Sequence, residues 1–328
     1  MSQWVSSSKK PLLFRGLALL GGAALYLSVL GMGSLTLMSA TGLGAVLVSS
    51  TIVCLSFLGM LMSPLPVLGA VLYFGGGFGF GAVLVSSAIV GAIQGLPSAL
   101  CYAALSGCMG LSVGLCARQK RSLGEAIVLT SLTVVSAGAG SIMVLSRGHF
   151  LSWVLAFRHD MMGIFDLILA APEITEIMPE GLREQMLFQA PSVMLATLVV
   201  VIGLQIAWAV RLWRAWPQKM LGAWSMPWHY VWPTIVLAAV CLFGTPPVAA
   251  WSSSVLRVVL AGYFLQGLVI LGSMLSMLRL GLLGRFFVAC TVTLFLVPLI
   301  MLTVCCGFFD LWVDFRPRLQ KLLQGKVG

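Results

Sequence analysis

Charge is what this chain lacks. Lys, Arg, Asp and Glu make up 9% of its 328 residues, against roughly 25% in a soluble globular domain. So few polar groups cannot coat a water-facing surface, and a soluble fold of this length is excluded. Acidic residues number only nine, which leaves little for carboxylate chemistry. The three histidines, His149, His159 and His229, are scattered and form no His-Glu-x-x-His zinc motif. No Gly-x-x-x-x-Gly-Lys-Ser/Thr occurs, so nucleotide is not held through a P-loop, and ATP-driven transport would need a separate ATPase. The eight cysteines lie in apolar stretches without a Cys-x-x-Cys pair. Adjacent Cys305 and Cys306 suit neither a metal nor an easy disulfide. No nucleophile–base pair stands out, so the expectation is a non-enzyme without cofactor or metal.

What is present is apolar. Hydrophobic residues reach 60% and the mean hydropathy is +1.06. A membrane helix needs about 20 mostly apolar residues, and nine stretches qualify: 12–33, 36–62, 66–93, 97–117, 125–146, 191–212, 230–250, 254–278 and 284–309. The expected fold is all-α: a polytopic transmembrane bundle of about eight to nine spans. It divides into an N-terminal bundle (1–146), an extracytoplasmic amphipathic and acidic segment (147–190) and a C-terminal bundle with a short basic tail (191–328). The polar start ending in Lys9-Lys10 resembles a signal peptide, but the apolar run after it is long enough to span and is read as an uncleaved first helix.

The net charge of +10 sits in short clusters between apolar runs. That is the bias of cytoplasmic loops rather than a nucleic-acid surface. Lys9, Lys10 and Arg15 place the N-terminus inside; Arg118, Lys120 and Arg121, then Arg211, Arg214 and Lys219, then Arg279 and Arg285 follow suit. A ninth crossing puts Arg316, Arg318, Lys321 and Lys326 outside, against the rule. Either 284–309 re-enters or an earlier stretch is not a full span. The implied location is a bacterial inner membrane. Six of the nine acids fall between 147 and 190, the segment placed outside. Its first part, His149 to Leu169, reads as an interfacial amphipathic helix. Gly44 to Val53 recurs as Gly81 to Val90 with one difference, Thr51 against Ala88. That is either an inverted repeat or chance in a small-residue chain.

Few residues offer chemistry. Gly75-Gly76-Gly77-Phe78-Gly79-Phe80-Gly81 has five glycines in seven positions. Glycine costs a helix about 1 kcal/mol relative to Ala, so this stretch fits an unwound helix lining a substrate site. Close helix packing explains it as well and is the simpler reading. Arg257, four residues into the stretch 254–278, can snorkel to the interface or contact an anion in an outward cavity. Tyr263 and Gln266 share a face of that stretch, and Gln266 needs a buried partner. Gln94 and Tyr73 are further polar candidates for a cavity wall. The expected substrate-binding set is therefore Gly75, Gly76, Gly77, Gly79, Gln94, Arg257, Tyr263 and Gln266. Trp213, Trp216, Trp224, Trp228 and Trp232, interleaved with basic residues, read as an aromatic belt or a docking loop. Asp310 and Asp314 lie one helical turn apart, for pairing with Arg316 or Arg318 rather than a metal.

Pro64-x-Pro66 before the Gly-rich stretch, Trp224-x-x-Pro227 with Trp232-Pro233, Tyr263 to Leu268, and the closing Gly307-x-x-Asp310-x-Trp312-x-Asp314-Phe315-Arg316 resemble the YybS-like family of bacterial membrane proteins. That family, a domain of unknown function, is itself distantly similar to the S-components of energy-coupling-factor vitamin transporters. The resemblance implies a substrate-binding membrane subunit and carries over architecture alone. Two functions are therefore expected: a small-molecule permease or S-component-like subunit, or a membrane scaffold or assembly factor. Implied partners are the lipid bilayer, other membrane proteins and separate ATPase or coupling subunits, with no nucleic acid.

Overall fold

A computed structural model describes residues 61–147, 182–213, 215–217, 224–277 and 296–313, with positions 59, 149, 152, 155, 159, 284 and 315. The expected spans 12–33 and most of 36–62, the segment 160–181, the first copy of the internal echo and the basic tail lie outside these residues. Among the described residues every regular element is helical. They are α1 (Leu65–Phe74), α2 (Gly76–Gln94), α3 (Leu96–Tyr102), a π-helical turn (Ala103–Gly107), α4 (Cys108–Arg118), α5 (Leu123–Ser146), α6 (Leu182–Trp213), α7 (Val231–Phe243), α8 (Pro246–Met277) and α9 (Leu296–Val313). Five stretches among them are long and apolar enough to cross a membrane: Gly76–Gln94, Leu96–Arg118, Leu123–Ser146, Phe188–Trp213 and Pro246–Leu275. The apolar helices Leu65–Phe74, Trp228–Phe243 and Pro298–Val313 are shorter.

The chain forms two compact units, Met1–Trp153 with Leu204–Pro217, and Val154–Gly203 with Gln218–Gly328. The two halves of α6 therefore belong to different units.

In the first unit, two glycines turn the chain. Gly75 (φ 104°) and Gly95 (φ 87°) occupy backbone conformations that side chains strain to reach. The stretch expected as one span, 66–93, is thereby two helices, α1 and α2. The break falls at the first glycine of the Gly-rich run. The helices either side of Gly95 run antiparallel and in close register. Gly91 faces Ala99, Gly79 faces Leu111 and Gly76 faces Leu115, while a Cβ on Gly107 would lie 2.6 Å from Val83 Cγ1. Along α1 the partners advance together instead. Gly110 meets Pro64 O, Gly114 meets Val71, and Gly75 meets Arg118 Nη1, so α1 and α4 are parallel. The Arg118 guanidinium donates to Val71 O at 3.2 Å. It is a second donor to a carbonyl in the last turn of α1 that also accepts from Gly75 N at 3.0 Å, and a cation there suits the helix dipole. Glycine at these contacts lets backbones approach, and Val67, Ala70, Val71, Ala82 and Val113 fill the core between them.

The start of α5 is set by a local signal: Ser122 Oγ accepts from Glu125 N at 3.2 Å, the N-cap half of a capping box. Trp216 is buried, and its indole N–H donates to Arg121 O at 2.9 Å. The path 59–74 lies beside the end of α6. The Gln205 amide donates to Leu61 O, and Gly69 sits under the ring of Trp213, so the two segments run the same way.

In the second unit, α7 and α8 form a hairpin. Ser252 Oγ donates to Leu237 O at 2.8 Å. The expected boundary between 250 and 254 moves to Gly244–Thr245. Pro246 and Pro247 open α8, because proline fits a first helical turn whose N–H groups have no ladder partner. Trp251, Ser252 and Ser253, which fall between the expected spans 230–250 and 254–278, are helix interior. Ser253 and Ser254 each bond back to Ala250 O, at 2.8 and 3.0 Å. Helix α6 runs parallel to α8: Phe188 stacks edge-on against Trp251, Ser192 bonds Arg257, and Gly203 receives Leu265. Helix α9 runs antiparallel to α8 at close range. A Cβ on Gly267 would overlap Thr303 O, and one on Gly307 would overlap Tyr263 O.

Candidate functional site

The Gly-rich run serves packing and turning. Gly75 turns the chain, Gly76 and Gly79 seat Leu115 and Val71, and Gly77 has open space around it. Gln94 is half-buried at the far end of α2, about 27 Å from Gly76 at 1.5 Å per residue. It does not meet the glycines. Tyr73 is exposed at the end of α1.

Tyr263 and Gln266 come together with residues from two other elements. Gln266 is fully buried and acts as a bridge. Its Oε1 accepts from Met226 N at 2.9 Å, and its Nε2 donates to Asp310 Oδ2 at 3.1 Å. Asp310 Oδ1 accepts from Phe315 N at 3.1 Å, closing off the end of α9. Around this tie, Tyr263, Phe308 and Trp312 stack edge to face, with Trp228 against Trp312. A buried amide needs its hydrogen bonds met. Here α9 and the strap before α7 meet them, which makes Gln266 a structural fastener. The expected partners of Asp310, Arg316 and Arg318, lie outside the described residues; among those described, Asp310 meets Gln266 and Phe315 N. Asp310 had been weighed by its i, i+4 relation to Asp314, and nothing in the spacing pointed across 44 residues to Gln266.

Arg257 stands apart from this tie and keeps a chemical role open. Because α8 begins at Pro246, Arg257 lies eleven residues inside the helix rather than four, about 16 Å from its start. Its side chain does not reach that end of the helix. It is the sole charged residue of the span Pro246–Leu275, and it is half-buried. Its Nη1 donates to Ser192 Oγ at 2.8 Å. That hydroxyl donates to Gln189 O at 2.7 Å, so its lone pair is turned to the guanidinium. Among the described residues no carboxylate lies within ion-pair distance of Arg257; Arg121–Glu125, at 3.7 Å and half-exposed, is the ion pair among them. A guanidinium has five N–H donors in a planar fork. One of them is engaged by Ser192, and Ser253 and Ser254 lie one turn away on the same helix face. The arrangement is suited to holding a carboxylate or phosphate.

The family model of predicted membrane proteins, DUF2232, matches residues 43–311. The chain belongs to this family. The match takes in the Gly75 turn, Arg257 and Asp310, and leaves out the first expected span and the basic tail. No curated protein and no solved structure matches the chain. For this member of the family, membrane residence thus rests on both family and apolar helices.

One motif escaped the sequence reading. Gly110-Leu111-Ser112-Val113-Gly114 has the letters of a nucleophile elbow, which requires a strand-to-helix turn. Here it is the interior of α4, and Gly110 and Gly114 are the two positions that admit α1. Among the described residues no group of three His, Cys, Asp or Glu could hold a metal.

Proposed function

We propose that this chain is a small-molecule permease or substrate-binding membrane subunit, of the kind an S-component represents, that takes an anionic ligand at Arg257. The observation that carries the reading is Arg257, the one charged residue of an apolar span, whose partner among the described residues is the neutral Ser192. A charge in that position is costly, by about 2.5–3.5 kcal/mol even on insertion scales, and marks a substrate or ion path by default. The proposed setting is a bacterial inner membrane with the N-terminus inside, eight to nine spans in all, and energy supplied by a separate ATPase or coupling subunit. The chain has no catalytic role in this reading.

The test is native purification from membranes, with mass spectrometry of co-purifying small molecules and proteins, for the wild type and Arg257→Met. The expected result is an anionic metabolite held by the wild type and lost, at least tenfold, from the folded variant. An equal yield of ligand from both would remove Arg257 from the site. Recovery of envelope proteins with no ligand from either would replace the permease with a scaffold, docked through the Trp224–Trp232 strap.

A further inference from the structure

The strongest unexplained feature of the first unit is the helix break at Ser63–Pro64. The chain is helical at Leu61 and Met62, turns at Ser63 and Pro64, and becomes helical again as α1. Direction is kept across the break, since Leu61 and Gly69 face Gln205 and Trp213 of α6 in the same order. Opposite it lies the π-helical turn Ala103–Gly107, near the middle of the span Leu96–Arg118. Ser63 Oγ and Ser106 Oγ, 2.5 Å apart, join the two irregularities. Interrupted helices and π-turns gather where a membrane protein binds something.

The break is rich in acceptors and poor in donors. Pro66 has no N–H, so Met62 O loses its helical donor. Pro64 removes a second donor. Leu61 O faces Gln205. Gln205 is 1% exposed, and its Oε1, on the same carbon as the nitrogen that meets Leu61 O, has no hydrogen-bond partner among the described residues. Ser63 and Ser106 are equally buried, at 0% and 2%. Leaving such an oxygen dry and unpaired in the core costs free energy. Two contacts hold the break, the Gln205 amide at Leu61 O and Ser63 Oγ at Ser106 Oγ, with Met62 O between them in sequence and Gln205 Oε1 left over. These oxygens are all neutral. Divalent cations are bound with carboxylates, whereas neutral carbonyl and hydroxyl oxygens at a helix break coordinate monovalent ones.

We propose that the Ser63–Pro64 break is a binding site for a dehydrated monovalent cation of sodium size, with Gln205 Oε1 as its side-chain anchor. The site stands whether or not Arg257 binds an anion; where both hold, the cation is the natural coupling ion.

The test uses the full chain in lipid nanodiscs. Binding of radioactive sodium is measured by competition with unlabelled sodium, lithium and potassium, with choline keeping ionic strength constant. Saturable binding near one ion per chain is expected, weakened at least tenfold in Gln205→Leu and in Ser106→Ala. The thermal midpoint of the wild type should rise with sodium and not with choline, which keeps the proposal testable if Gln205→Leu does not fold. Absence of saturable binding and of any cation-dependent midpoint in the wild type would overturn the site and leave a water-filled kink. Wild-type affinity in both folded variants would move the ion elsewhere.

Discussion

Replacing Gly267 by alanine probes the tightest helix crossing in the second unit. The new methyl would land on Thr303 O, and Gly307 makes the reciprocal approach to Tyr263 O on the other side. Both obstacles are backbone, so no rotamer change relieves them and α8 must part from α9. Overpacking a close contact costs about 1–3 kcal/mol, and separation also stretches the Gln266–Asp310 bond, now 3.1 Å, worth about 1 kcal/mol net. Alanine returns at most about 1 kcal/mol of helix propensity. The net expectation is a loss of about 1–3 kcal/mol. Gly272→Ala is the matched control: it lies in the same helix, is exposed, and has nothing within 4 Å of the added methyl. It should be neutral or slightly stabilising. Reversible unfolding in mixed micelles, titrated with SDS and followed by tryptophan fluorescence, measures both. Equal stability of the two variants would refute the close α8–α9 crossing and the role of Gly267 and Gly307 in it.

Three further outcomes follow from the same geometry. Gly75→Ala should lose about 1–3 kcal/mol, since φ 104° is costly for a side chain and the methyl would sit 2.8 Å from Arg118 Nη1; pairing it with Arg118→Ala should recover the part due to collision and not the part due to backbone, in the same SDS titration. Gln266→Leu should cost about 1–3 kcal/mol and raise hydrogen exchange of the Met226 amide, measured by mass spectrometry on peptides spanning 224–230; unchanged exchange would separate Gln266 from the strap. Arg257→Lys should retain ligand better than Arg257→Met but below wild type, because an ammonium keeps the charge and loses the planar fork; equal retention in Arg257→Lys and wild type would argue for a point-charge contact.

Much of the glycine chemistry was legible only in kind. Five glycines in seven positions announced either packing or unwinding, and both occur, at different residues. Gly75 turns the chain because its φ is positive, while Gly79 packs because Val71 stands over it. No local rule separates those two cases. Ser63 and Pro64 form a turn, with Pro66 in the first turn of α1. That the Ser63–Pro64 turn faces a π-turn 43 residues later, through Ser63 and Ser106, is a matter of register between helices. Pro246-Pro247 after Gly244 marks the start of α8, and the serines at 252–254 lie inside the helix. Polar residues suggest a loop in water, but in an apolar setting their hydroxyls are satisfied by the carbonyl three or four residues back.

Composition alone determined the solvent and the secondary structure. With 9% charge and 60% hydrophobic residues, this chain has no stable alternative to lipid, and lipid leaves its backbone no better choice than helices. Helix ends followed where a proline, a glycine or a capping serine spoke for itself. Tertiary structure decided which polar residues are fasteners and which remain open. Gln266 became a fastener because Asp310 and Met226 arrive beside it. Among the described residues what arrives beside Arg257 is a serine, which takes one of its five N–H donors. In a membrane the worth of a polar side chain is set by its partners, and partners distant in sequence are chosen by how helices pack.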